Sequence, residues 1–209
     1  MKDKEIRQLT TPIEVRSEGE GESEFVEGYA LKFEKWSERL GGWFKEIISR
    51  NALDSADLSN VIALFNHRQD YPLARNTVSG DAGRLELEAD NIGLKFRFKP
   101  SETSYARDLM ANIRSGVINQ CSFAFSLNHN ETDADEWRFN DEEDIYERRI
   151  NKIHRIYDIS LVTTPAYNDT EAVVGSRSLE KVEQLKESRK LPDDNLKIEL
   201  ELLDLILPE

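Results

Sequence analysis

The chain has 209 residues, enough for one sizeable domain with appendages, and its formal net charge of -13 argues against general binding to nucleic acid, whose phosphates it would repel without a dedicated basic patch. Hydrophobic residues make up 38% and charged residues 33%, so part of the length is expected in solvated arms. The single cysteine, Cys121, excludes an intramolecular disulfide and fits a reducing compartment, and no apolar run is long enough to span a bilayer.

Residues 1–24 read as a flexible acidic arm: apart from Val15 and Arg16, Glu14 to Glu24 is Glu, Gly and Ser with little to bury. Order is expected from Phe25, where Val26, Gly28, Ala30 and Phe33 form a short alternating segment. An aromatic and glycine-rich turn around Trp36, Gly41, Gly42, Trp43 and Phe44 follows, then a brief strand at Ile47 and Ile48. Asn51 to Asn60 reads as a short helix or turns. It leads into Val61-Ile62-Ala63-Leu64-Phe65, an unbroken apolar run suited to a central strand buried on both faces. His67 stands just beyond it. A histidine at a strand end often merely meets water, yet the position is also a rigid support for a working side chain.

Asp70 to Gly83 reads as a loop with one short strand. Leu85 and Leu87, then Ile92, Leu94, Phe96 and Phe98, predict a hairpin turned around Asp90-Asn91-Gly93. Tyr105, Leu109 and Ile113 recur at helical spacing, after Ser101 and Thr103 as candidate N-caps and before Gly116 as a breaker. A strand should follow, because Phe123, Phe125 and Leu127 alternate with Ser122, Ala124 and Ser126. Ser122 then lies on the face opposite the phenylalanines. Most strand serines only fill space, but a hydroxyl fixed beside a packed aromatic layer is also a well-supported place for a nucleophile. The same alternation sends Cys121 to the phenylalanine face as a buried structural thiol rather than a second nucleophile.

Glu131 to Asp144 is acidic, interrupted by Trp137, Arg138 and Phe139. It lacks the ligand pattern of an EF-hand and predicts a solvated loop with one short strand. Tyr146 to Ile150 and Ile153 to Val162 return to strand character, the second carrying His154 and Asp158. Residues 177–209 form a leucine-rich tail: one short helix around Leu179, Val182 and Leu185, and a second over Leu196 to Leu207.

A histidine after a buried strand, a serine on another and an acid on a third are the groups a catalytic triad needs. Imidazole takes the hydroxyl proton, and a carboxylate fixes the imidazole tautomer and stabilises its charge. The order His67, Ser122, Asp158 matches none of the chymotrypsin, subtilisin or α/β-hydrolase orders, and Ser122 lies in no G-x-S-x-G. A metal hydrolase built on His67, His129 and His154 is a weaker alternative, since these histidines lack close ligand spacing; no cofactor is expected.

Asn66-His67, then Ile118 to Phe125 with its Ser-Phe-Ala-Phe, then Asp158 to Tyr167 resemble, in this order, the hallmark segments of the tailed-phage prohead maturation proteases. The resemblance covers about Phe25 to Gly175 and implies a protease domain over residues 25–176. That family is similar in fold to the herpesvirus assemblins, which implies an α+β fold with a mostly antiparallel β-barrel core surrounded by helices. By position, His67 becomes the general base and Ser122 the nucleophile. The third member is expected to be Asp158, where assemblins place a second histidine. His154, four residues earlier and on the same face by even spacing, is the second choice. Ala124 stands where the family usually has glycine, and Cys121 where methionine is common; backbone N–H groups near Thr164 are the expected oxyanion donors. The resemblance implies a serine endopeptidase of the bacterial host cytoplasm, phage- or prophage-encoded, acting inside the immature capsid. It would cleave the scaffold segment of the major capsid protein, and itself, with possible self-association and no nucleic-acid or membrane partner. A non-enzymatic assembly factor with the same fold is the alternative.

Overall fold

The structure, a computed structural model, describes residues 4–9, 13–17, 24–128, 130–163 and 178–189. Its strands sort into three sheets. The first has the order β1 (Glu5–Leu9), β9 (Gln120–Ser126), β12 (Arg155–Val162), β5 (Ile62–Phe65) and β6 (Arg68–Arg75). All its neighbours are antiparallel except β12 and β5. The second runs β2 (Glu14–Ser17), β3 (Glu24–Lys32), β8 (Gly93–Phe98), β7 (Leu85–Ala89), antiparallel throughout. The third is β10 (Asp135–Asn140), β11 (Ile145–Ile150) and β4 (Phe44–Ile48), the last pair parallel.

The expected barrel is therefore corrected: among the described residues the fold is α+β with three sheets, and none closes on itself. Each keeps two edge strands, β1 and β6 in the largest, because no ladder joins its first strand to its last. The expected surround of helices is also reduced. Among the described residues there is α1 (Ser104–Arg114) and a helical stretch, α2, over residues 178–189.

Alternation decides which side of the first sheet is wet by polar groups and which is core. Phe123, Phe125, Ile156, Ile159 and Leu161 join one continuous apolar core with Leu109, Met110 and Ile113 of α1 and with Val26, Leu31, Leu94, Phe96 and Phe98 of the second sheet. α1 begins where the Thr103 side chain accepts from the Ala106 N–H, and Gly116, at a φ of 76°, turns the chain away after Ser115. A second, smaller cluster of Phe44, Trp137 and Val182 fastens α2 to the third sheet.

Three local readings change. The segment after His67 is the eight-residue strand β6 rather than mostly loop, since it pairs with β5 despite Pro72. β5 is interior, but β12 holds the centre of the sheet. The stretch read as a flexible arm contributes β1 and β2: partners at β9 and β3 supply backbone hydrogen bonds that composition cannot reveal. The tail helix expected over Leu196 to Leu207 lies outside the described residues.

Candidate active site

β12 sits between the strands that carry the other two groups. Ser160 of β12 faces Ser122 of β9 directly across the ladder, and Asp158 faces Ala124. On the other side of β12, the parallel partner β5 ends in Asn66 and His67, which form the two-residue turn into β6. Both have positive φ, 50° and 56°, as a type I′ hairpin turn requires. Asparagine and histidine tolerate that region better than most side chains, and three contacts hold the turn against β12. The Asn66 N–H donates to the Leu161 carbonyl at 2.9 Å, the Thr163 N–H to Asn66 Oδ1 at 3.2 Å, and the His67 N–H to Ser160 Oγ at 3.1 Å.

The turn delivers the imidazole between the serine and the acid. His67 Nε2 lies 2.5 Å from Ser122 Oγ, and His67 Nδ1 lies 2.6 Å from Asp158 Oδ1. The second carboxylate oxygen, Oδ2, accepts from Lys4 Nζ at 2.8 Å. Ser160 Oγ, 3.2 Å from His67 Nδ1, donates to Asp158 Oδ1 at 3.1 Å. Burial opposes ionisation of Asp158, but the hydrogen bond with His67 and the hydrogen bond and charge of Lys4 outweigh it and hold the carboxyl below its ordinary range. An ionised Asp158 places the proton of a neutral imidazole on Nδ1 and leaves Nε2 bare toward the Ser122 hydroxyl. That arrangement can draw a proton from a serine as the oxygen attacks a carbonyl.

The structure thus brings His67, Ser122 and Asp158 together. It does not bring in His154, which is exposed and lies one residue before β12. The even-spacing argument for it fails because a bulge between Ile156 and Asp158 breaks the alternation. Cys121 is wholly buried among the core aromatics, and burial pushes its thiol far above the ordinary range, which does not suit it to act as a nucleophile at neutral pH. His129 and Thr164 lie outside the described residues. Among the described residues no group of three or more His, Cys, Asp or Glu side chains is placed to hold a metal ion.

Three residues escaped sequence reasoning. Ser160 was within reach, since it stands two residues from Asp158 on the same face. Lys4 and Arg7 were hidden in a charged N-terminal stretch without strand pattern. The Arg7 carbonyl accepts a hydrogen bond from Ser122 Oγ at 3.0 Å. Beneath the sheet Arg7 also enters a buried ionic cluster: its Nε donates to Glu46 Oε1 and its Nη2 to Glu5 Oε2, both at 2.6 Å. The centre of that cluster is Arg148, which is fully buried. Arg148 donates to Glu5 at 2.5 and 3.0 Å, to Asp135 at 2.9 Å and to Ser178 at 3.0 Å. Burial works against its charge, yet Glu5, Glu46 and Asp135 hold it protonated.

The family model described as caudovirus prohead serine protease matches residues 11–185. A structural match to the bacteriophage T4 capsid assembly protease has a TM-score of 0.46 at 15% identity, covering 78% of this chain and 98% of that one. No curated protein matches the chain.

Proposed function

The chain belongs to the caudovirus prohead serine protease family, and on that premise we propose that His67, Ser122 and Asp158 are its catalytic triad. The observation that carries this reading is the single imidazole spanning Ser122 Oγ and Asp158 Oδ1 at 2.5 and 2.6 Å. Ser122 Oγ attacks the scissile carbonyl while His67 Nε2 takes its proton. Asp158, ionised, stabilises the imidazolium through Nδ1–H, and His67 then returns the proton to the leaving amine. Water, deprotonated by the same imidazole, releases the acyl group. Ser160 positions both partners: its hydroxyl holds Asp158 Oδ1, and it accepts the His67 backbone N–H that fixes the turn. An acid completes the constellation where the assemblins use a second histidine.

The substrate we propose is the scaffold segment of the phage major capsid protein, cleaved inside the immature capsid, together with the protease itself. The test is the intact mass of purified protein followed over time, for wild type and Ser122→Ala, with and without capsid protein. Fragments are expected only where Ser122 is present. Capsid protein processed equally by Ser122→Ala would sink the assignment.

A further inference from the structure

Ser122 is fully buried and Asp158 nearly so. Part of what encloses them is β1, which pairs antiparallel with β9 from Glu5 opposite Phe125 to Leu9 opposite Cys121. The ammonium of Lys4, the residue leading into β1, sits on Asp158, and the Arg7 carbonyl of β1 sits on the Ser122 hydroxyl. We infer that this edge of β9 is the substrate-binding edge and that β1 is its resident occupant, which must leave before cleavage. The substrate is an extended peptide that adds in β1's register, with an acidic side chain in the place of Glu5 and a basic one in the place of Arg7, immediately before the scissile bond. This rests on Ser122 being the nucleophile.

Four observations converge. Without β1, β9 offers a row of unpaired N–H and C=O groups, the template on which an extended peptide adds as a strand. The backbone atom of β1 that meets Ser122 Oγ is the carbonyl oxygen of Arg7, so residue 7 stands where the residue before a scissile bond would stand. Side-chain recognition is built in alongside: Arg148 binds both Glu5 oxygens, while Arg7 is held by Glu46 and lies over the Phe44 and Phe125 rings at 5.8 and 5.5 Å. Finally the charges balance in pairs. Removing β1 takes away one anion and one cation and leaves Arg148 and Lys181 against Glu46 and Asp135. A peptide bringing only one of the two charges would leave the other without its counterpart in a buried site.

β1 also competes for the proton that catalysis needs. Ser122 has one hydroxyl hydrogen, and while it is donated to the Arg7 carbonyl it cannot be donated to His67 Nε2.

Leu9→Cys tests this with one substitution outside the triad. Its Cα partner across the ladder is the native Cys121, and directly opposed antiparallel residues lie within disulfide reach. Wild type, with one cysteine, is the redox control. Fluorophosphonate labelling of Ser122, located by peptide mass, is expected to slow at least ~10-fold when diamide locks the variant and to recover with dithiothreitol. Equal labelling in locked and free forms would overturn the occlusion. If neither form labels, Arg7→Ala, which takes the Arg7 counterion from Glu46 and loosens β1, decides: labelling there upholds the inference, and none in a protein folded by circular dichroism overturns it. On the free protein, peptides carrying Glu-x-Arg before the cleaved bond are expected to be cut at least ~10-fold faster than Arg-x-Glu peptides, and no preference would remove the charge-pair assignment. Failure of the triad itself looks different: label on a residue other than Ser122, or undiminished cleavage by Ser122→Ala, whatever the lock does.

Discussion

Asp135→Asn probes the buried ionic cluster under the β9 edge through its pH dependence. Asp135 Oδ2 accepts from Trp137 Nε1 at 3.0 Å, Arg148 Nε at 2.9 Å and Ser178 Oγ at 2.7 Å, while Oδ1 receives Lys181 Nζ at 2.5 Å. An asparagine oxygen can keep the three donors on one side, but its amide then meets the Lys181 ammonium donor to donor. Burial alone would raise the Asp135 pKa, yet Arg148 and Lys181 bring it from 3.8 down to about 2. At about 1.4 kcal/mol per unit, the ionised carboxylate contributes about 2 kcal/mol of stability at neutral pH. Because the folded value is the lower one, the unfolded chain takes the proton first as pH falls. The contribution is complete above the unfolded pKa and fades between about pH 4 and pH 2; near pH 3 about 1 kcal/mol should remain. The asparagine variant has no such titration at this position. Urea unfolding of both proteins from pH 7 to pH 3 should therefore show a stability gap of about 2 kcal/mol that narrows to about 1 kcal/mol. A gap that stays constant across this range, or none at pH 7, would refute the claim that Arg148 and Lys181 hold Asp135 ionised.

Asp158→Asn should lower kcat/KM on a peptide substrate by about 10³- to 10⁴-fold with little change in KM, because an amide no longer holds the Nδ1–H tautomer; a loss below about tenfold would argue against the acid's role. Cys121→Ala should keep full activity at a cost of about 1 kcal/mol in a denaturant titration, and native Cys121 should resist iodoacetamide. Gly93→Ala should destabilise by about 3 kcal/mol or more, since a Cβ there would stand 2.0 Å from the Leu31 carbonyl oxygen; a urea midpoint equal to wild type would contradict the close β3–β8 approach.

Much of the site could be read along the chain because its parts lie on strands with strict alternation. Phe123 and Phe125 facing the core put Ser122 on the other side, and Cys121 inside. What alternation cannot supply is the third dimension of a sheet. Nothing local reveals that β1 joins β9 across more than a hundred residues, or that the run after His67 returns as β6. The bulge before Asp158 also defeated counting. Ile156 and Ile159, three residues apart, both face the core, so parity carried from His154 to Asp158 gave the wrong face. Closure into a barrel came from resemblance rather than from residues, and the ladders do not support it. The ionic cluster was hidden for a similar reason. Arg148 and Arg149 are adjacent in sequence, but one is fully buried against carboxylates from three separate strands and the other is half-exposed beside Glu34.

The place of β12 between β5 and β9 has a consequence for how this enzyme can fail. The acid rides on β12, the base on the turn after one neighbour and the nucleophile on the other, so every distance in the triad is measured across hydrogen-bonded ladders. A ladder admits no small errors: the smallest slip that returns a side chain to its own face is two residues, about 7 Å. Misalignment by strand slip is therefore stepwise rather than graded. Inactivation by heat or denaturant should coincide with loss of the ladders that join β9, β12 and β5, rather than with undocking of β1.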